Sequence, residues 1–160
     1  RTYRRARLAY RDVAAASNRL TLIAAVVPAG CVTTHTVSCL RGSMPAAAQT
    51  FLCGLLNSYV ANYLVRQRVT THVGAAVIRR IPAPRPDSAG PVFREGVDLA
   101  AALASAADPE HDPAYARLQA LVARAYRLTE PEFSLILDSF PLVEDRVLAA
   151  AREAFRRFSL

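Results

Sequence analysis

The densest set of side chains able to recognise a ligand lies between residues 56 and 84. Arg66, Gln67 and Arg68 end a helix-like pattern and run at once into the polar triplet Thr70-Thr71-His72. Arginine forks pair with phosphate oxygens or with the O6 and N7 edge of guanine, and a glutamine amide brackets adenine. The cluster therefore carries the donors and acceptors needed to position and read a duplex. The same arginines also suit the end of a helix, where a cation meets the negative pole of the helix dipole. On this segment alone the two readings stand level. Along the rest of the chain, Arg4, Arg5, Arg11, Arg41, Arg79 and Arg80 join Arg66 and Arg68 as candidates for phosphate contact. Thr34 and His35 join Gln67, Thr70, Thr71 and His72 as candidates for base edges.

Catalytic chemistry has no comparable foothold. The chain lacks a glycine-rich phosphate loop, a Gly-x-Ser-x-Gly elbow and histidines at metal-binding spacing, and its carboxylates cluster only in the second half. His111, within Asp108-Pro109-Glu110-His111-Asp112, has the surroundings of a solvated loop. Cys31, Cys39 and Cys53 form neither a CxxC pair nor an even disulfide framework, and their apolar neighbours suggest buried free thiols of a cytoplasmic protein. No catalytic residue, metal or cofactor is expected in this chain.

Charge is divided unevenly. All 20 basic residues are arginine, which a coding bias toward Arg and Ala accounts for. Residues 1–86 hold 12 Arg against the single acid Asp12, leaving +11, whereas residues 87–160 hold 8 Arg against 12 acids, leaving −4. Such asymmetry points one half at a polyanion and the other at solvent or protein. No charge falls between Arg41 and Arg66, so a membrane span has to be weighed. Gln49, Thr50, Asn57, Ser58 and Asn62 would be costly in lipid, and no membrane partner is expected. The opening run of arginines, without an initiator Met or an apolar signal core, reads as the edge of a longer protein.

The elements that must hold these groups follow from periodicity. Residues 3–13 alternate loosely, 21–28 form a short β-branched run ended by Pro28, and 31–40 are rich in Val and Thr, which together suggest a small sheet. Leucines and tyrosines at three- and four-residue intervals predict one long amphipathic helix over 45–68, with a polar face left for other contacts. Residues 73–81 read as a strand that runs into a stiff link of Pro82, Pro84 and Pro86, with a turn at 87–90. Helices are expected over 97–107, over 112–127 from Asp112-Pro113, from Thr129-Glu130-Pro131-Glu132, and over 142–158. No internal repeat is expected beyond alanine richness. The fold class is α+β: a small, mostly antiparallel sheet packed with a long helix in residues 1–86, and a helical scaffold in 87–160.

Several short motifs then occur in a telling order. Leu56-Asn57-Ser58, Tyr63, Arg66-Gln67-Arg68, Thr71-His72 and Ile81-Pro82-Ala83-Pro84 resemble the target-recognition region of bacterial type IIG and IIL restriction-modification enzymes. Those enzymes fuse an adenine-N6 DNA methyltransferase to a specificity domain; the motifs are more distantly similar to type I specificity subunits. Tyr10-Arg11-Asp12-Val13 and Thr21-Leu22-Ile23 upstream, and Leu128-Thr129-Glu130-Pro131 and Ile136-Leu137-Asp138-Ser139-Phe140-Pro141 downstream, extend the resemblance over most of the chain. Leu20 stands where the family places Arg, and Gly74 where it often has Asn. The resemblance implies sequence-specific recognition of duplex DNA, with catalysis and S-adenosylmethionine belonging to a methyltransferase part of a longer parent, since no Asn-Pro-Pro-Tyr signature is present. Reversing Arg66 and Arg68 to Glu is then expected to lower duplex affinity and flatten its salt dependence. The competing reading is an assembly domain that uses the 45–68 helix and the alanine-rich helices as subunit contacts. An independent enzyme is disfavoured.

Overall fold

The computed structural model describes residues 2–88 and 90–158. Its sheet has three strands in the order β2-β1-β3, all antiparallel: β1 (Arg7–Arg11), β2 (Ala24–Val27) and β3 (Val37–Cys39). Leu8, Ala9 and Tyr10 are buried because β1 is central and covered on both faces. The outer strands are shorter than their β-branched runs suggest, since a strand extends only as far as its partner's free backbone groups. Residues 31–35 have no ladder to join, and of the 31–40 run only β3 forms, with Thr36 adding one bond to Asp12. A 3-10 turn (Thr2–Arg4) precedes β1. Gly30, at φ +88°, turns the chain after β2 and donates its N–H to the Tyr3 carbonyl at 2.8 Å.

The long helix expected over 45–68 is two helices, α1 (Ala46–Leu56) and α2 (Tyr59–Arg66). Ser58 breaks it by capping α2, its hydroxyl accepting from Ala61 N–H at 3.1 Å. The break turns the polar face inward. Asn57 accepts from Ala24 N–H and donates to the Ala24 carbonyl, both at 2.9 Å. Asn62 does the same to Leu22 at 2.8 and 3.1 Å. Residues 23, 25 and 27 of this strand face β1, so the groups of Leu22 and Ala24 lie on the outer edge. Two asparagine amides thus stand in for a missing neighbouring strand, and the face read as free for other contacts is spent on the sheet.

The strand expected over 73–81 does not form. Val73 is buried, a single bridge joins His72 to Val13, and the chain then turns into the short helix α3 (Ala75–Ile78). In the antiparallel sense of that bridge residues 74–81 would run back along Arg11 and Tyr10, an edge that β3 already occupies, and Ala75-Ala76 favour a helix once no ladder competes.

Two of the four remaining helices begin where the sequence places them, whereas the one expected over 97–107 begins six residues earlier, with Pro91 in its first position, and the last begins at Asp145 rather than at 142. The four are α4 (Pro91–Ser105), α5 (Pro113–Ala125), α6 (Glu130–Asp138) and α7 (Asp145–Arg156). Asp112 caps α5 by accepting from Ala114 N–H at 2.8 Å, and Pro113 fills its first position. Buried without a break from Leu118 to Ala123, α5 packs against α2, α4 and α7. Helix α4 lies on α1 at glycine contacts: a Cβ on Gly54 would meet the Ala100 Cβ at 2.9 Å, and one on Gly96 the Phe51 ring at 2.7 Å. One core therefore runs across residue 86. Phe140 packs at a tilt against Tyr59 with ring centroids 4.9 Å apart, and each such buried ring stabilises the fold by about 2–3 kcal/mol. Among the described residues no helix is long and apolar enough to cross a membrane. The architecture is α+β.

Candidate nucleic-acid interface

Asp12 is where two distant polar segments meet. The N–H and C=O of an extended residue point to the same side of its strand. On the side of β1 that faces β3, Asp12 N–H donates to the Thr36 carbonyl at 2.9 Å and the Asp12 carbonyl accepts from Val73 N–H at 2.7 Å. Ala14 N–H then donates to the Thr71 carbonyl at 3.1 Å. Pairing is thus passed along one edge of β1 from the lead-in of β3 to residues 71–73. Thr34, His35 and Thr36 come to adjoin Thr70, Thr71 and His72, and all six are exposed. Within the patch, the Thr34 and Thr36 hydroxyls lie 3.2 Å apart and the Thr71 hydroxyl lies 2.9 Å from His72 Nδ1. Both segments have the sequence Val-Thr-Thr-His, at 32–35 and 69–72, so the chain contains a short repeat where none is expected.

Arg79 and Arg80, exposed after α3, belong to this end of the sheet. Burial pushes the Tyr10 phenol up, a hydrogen bond from Ser38 opposes it, and the opposing charges of Asp12 and Arg79 both reach the same phenol. Arg4, Arg5 and Arg41 gather at the other end, where Arg5 donates to the Arg41 carbonyl at 3.0 Å and Leu40 N–H pairs with Leu8. The ends are separated by the extended run from residue 7 to residue 12, roughly 17 Å. Gln67 and Arg68 are exposed at the end of α2, and Arg68 donates to the Leu64 carbonyl at 2.9 Å. Exposed Thr36 and half-buried Ser38 also belong to the patch and were not singled out from sequence, whereas Tyr10 lies buried beneath it.

Arg66 and Arg11 have a different environment. Arg66 donates to the Thr21 hydroxyl at 3.2 Å, to the Ser139 carbonyl at 2.6 Å, to the Arg19 carbonyl at 2.9 Å and to the Asn18 carbonyl, while its guanidinium lies 4.1 Å over the Phe140 ring. Those bonds nearly exhaust its donors, and burial lowers its pKa. Arg11 donates to the Leu20 carbonyl at 2.7 Å. Reversing Arg66 would therefore test folding before it tested recognition. Among the cysteines, Cys31 is exposed, contrary to the expected burial, and Cys39 and Cys53 are half-buried; burial pushes the Cys53 thiol up.

Ion pairing separates the two halves. Arg117 meets Glu95 at 2.5 Å; Arg146 meets Glu144, Arg156 meets Glu130 and Arg157 meets Glu153, each at 2.6 Å; and Arg152 meets Asp138. Among the described residues 2–86, Arg19 is the one arginine in an ion pair, with Glu110. Among the described residues, the other arginines of the first half have no carboxylate within ion-pair distance. Compared with known proteins, the chain matches no family model, no curated protein and no solved structure.

Proposed function

We propose that this chain is the specificity portion of a larger cytoplasmic adenine-N6 DNA methyltransferase or restriction-methylation enzyme, and that it recognises duplex DNA without catalysing a reaction itself. The observation that carries this reading is the meeting of the two Thr-Thr-His loops at Asp12, beside arginines that no carboxylate neutralises. Arg79 and Arg80 hold phosphates at that edge, and Arg4, Arg5 and Arg41 extend the contact along the backbone. The threonine hydroxyls and the histidines His35 and His72 offer donors and acceptors to base edges. Methyl transfer from S-adenosylmethionine belongs to a part of the parent outside this chain.

A salt titration of duplex binding tests the reading, because each phosphate contact contributes about 0.9 to the slope of log affinity against log salt. Charge reversal at both Arg79 and Arg80 is expected to flatten that slope by about two contacts' worth. Alanine at Thr34, His35, Thr71 and His72 is expected to leave the slope alone and to erase the sequence preference recovered from a random duplex library. Salt-independent binding, or identical slopes in the wild type and the charge-reversed protein, sinks the proposal.

A further inference from the structure

The junction at Asp12 fixes two side chains as well as backbone. Val73 N–H donates to the Asp12 carbonyl at 2.7 Å and Ala14 N–H to the Thr71 carbonyl at 3.1 Å. The residues between those bonds, Val13 and His72, therefore form a non-hydrogen-bonded antiparallel pair. In such a pair the Cα atoms lie about 4.5 Å apart and both side chains stand together on one face. Here that face is solvent, with Val13 49% exposed and His72 exposed beside it. The next residues along, Ala14 and Val73, supply the core instead.

Each partner presents one kind of contact. Val13 offers a branched methyl surface that the fold leaves in water. In His72, Nδ1 lies 2.9 Å from the Thr71 hydroxyl, which leaves Nε2 as the outward nitrogen. Nε2 carries a proton in the imidazolium and in one neutral tautomer, so it donates in every state but the other tautomer. A phosphate would use that donor and gain nothing from Val13. In the major groove a methyl adjoins an acceptor on one base, thymine, whose C5-methyl stands beside O4. Cytosine presents an amino donor there, adenine and guanine have no methyl, and the minor groove carries none.

We propose that Val13 and His72 together read a thymine in the major groove, Val13 covering the C5-methyl and His72 Nε2–H donating to O4. The inference rests on the duplex reading above and goes beyond it by naming the base and the pair of residues that select it.

Deoxyuridine tests the methyl, because it removes that group from thymidine and keeps O4 and the pairing with adenine. Duplexes recovered by the wild type from a random library are resynthesised with deoxyuridine at each thymine in turn. A second set places a 5-methylcytosine·guanine pair at each thymine·adenine pair. Binding is measured for the wild type, Val13→Ala and His72→Ala, with unfolding temperature followed in parallel. At one position deoxyuridine should weaken wild-type binding about fourfold, the effect of one buried methyl. Val13→Ala should bind the thymine duplex that much more weakly and no longer distinguish it from the deoxyuridine duplex. 5-Methylcytosine keeps the methyl but sets an amino group where O4 stands, so it should weaken wild-type binding about tenfold at the same position. His72→Ala should shrink that difference. Both side chains lie in solvent, so both variants should unfold within about 2 °C of wild type.

A wild type that binds duplex with the expected salt slope, yet is indifferent to deoxyuridine at every position or recovers no preferred sequence, overturns this inference and leaves duplex binding standing. So does a thymine preference over deoxyuridine that survives Val13→Ala. Undiminished binding of the 5-methylcytosine duplex overturns it as well, because Nε2 would then be accepting. Absence of salt-dependent duplex binding removes both readings together.

Discussion

The two edges of the three-stranded sheet are finished in opposite ways. On the β2 side, side chains from α1 and α2 occupy the outward backbone groups and the edge is closed. On the β3 side, pairing passes from β3 to residues 71–73, and the side chains around that junction stay in solvent. Both treatments draw on the same stretch of sequence, for Asn57, Asn62 and Arg66 face inward while Gln67, Arg68 and the 70–72 loop face outward. A polar residue beside a backbone edge with unmet hydrogen bonds serves the fold, and one a few positions later, with no such edge to meet, is free to serve a ligand.

The largest expected effect breaks the closed side. Arg66→Ala removes bonds to Thr21, Ser139, Asn18 and Arg19 and the stacking on Phe140, and should cost about 2–4 kcal/mol in urea unfolding. A cost under about 0.5 kcal/mol, the range of an ordinary surface change, would mean that Arg66 is not a structural tie. Next, Asn62→Ala leaves both outward groups of Leu22 without a partner in a fully buried site, for about 2–3 kcal/mol. Asn57→Ala, at a half-buried position where water can substitute, should cost less. If the two asparagines rank the other way, the edge is held chiefly at Ala24.

Arg79→Glu with Arg80→Glu tests the open side. Duplex affinity should fall by tenfold or more at low salt, while unfolding stability stays within about 0.5 kcal/mol of wild type. Loss of stability together with loss of binding would put these arginines on the same footing as Arg66 and erase the contrast between the edges. Smaller still is the effect of Arg152→Ala in the self-paired helical half. Its pair with Asp138 is largely exposed on the carboxylate side, so stability should drop by no more than about 1 kcal/mol. The salt slope of duplex binding should not move at all.

How much of this was legible in the sequence depends on how local each cause is. The starts of α5 and α6 were readable because Asp112-Pro113 and Thr129-Glu130-Pro131-Glu132 act within one turn. Strand lengths were not, because a ladder is decided by its partner. Val73, Val77, Ile78 and Ile81 fit a strand or a helix equally well until β3, already paired along that edge of β1, removes the strand option. The Asp12 junction joins Thr36 to Val73, and no spacing rule connects them, although the repeated Val-Thr-Thr-His was a visible hint. Arg66 and Arg79 are the same residue type in the same basic half. What separates them is a carbonyl at Ser139, 73 positions away from Arg66, which periodicity cannot register.

The smallest effect belongs to the part that was most legible, and it carries a sign. The Thr129 backbone N–H and hydroxyl both donate to the Glu132 carboxylate at 2.7 Å, and these bonds hold its pKa below the ordinary carboxylate value. A depressed folded pKa means that the unfolded chain takes up the proton first as pH falls. The contribution is complete above the ordinary carboxylate range and disappears as pH drops through the lower folded value. Glu132→Gln should therefore make the acid limb of the stability curve shallower between those two points. It should leave duplex binding at neutral pH unchanged, because the capping box lies in the helical half, away from both edges of the sheet. An acid limb of unchanged steepness would show that this carboxylate is as free in the folded protein as in the unfolded chain. The bond to Thr129 would then give α6 its start and nothing further.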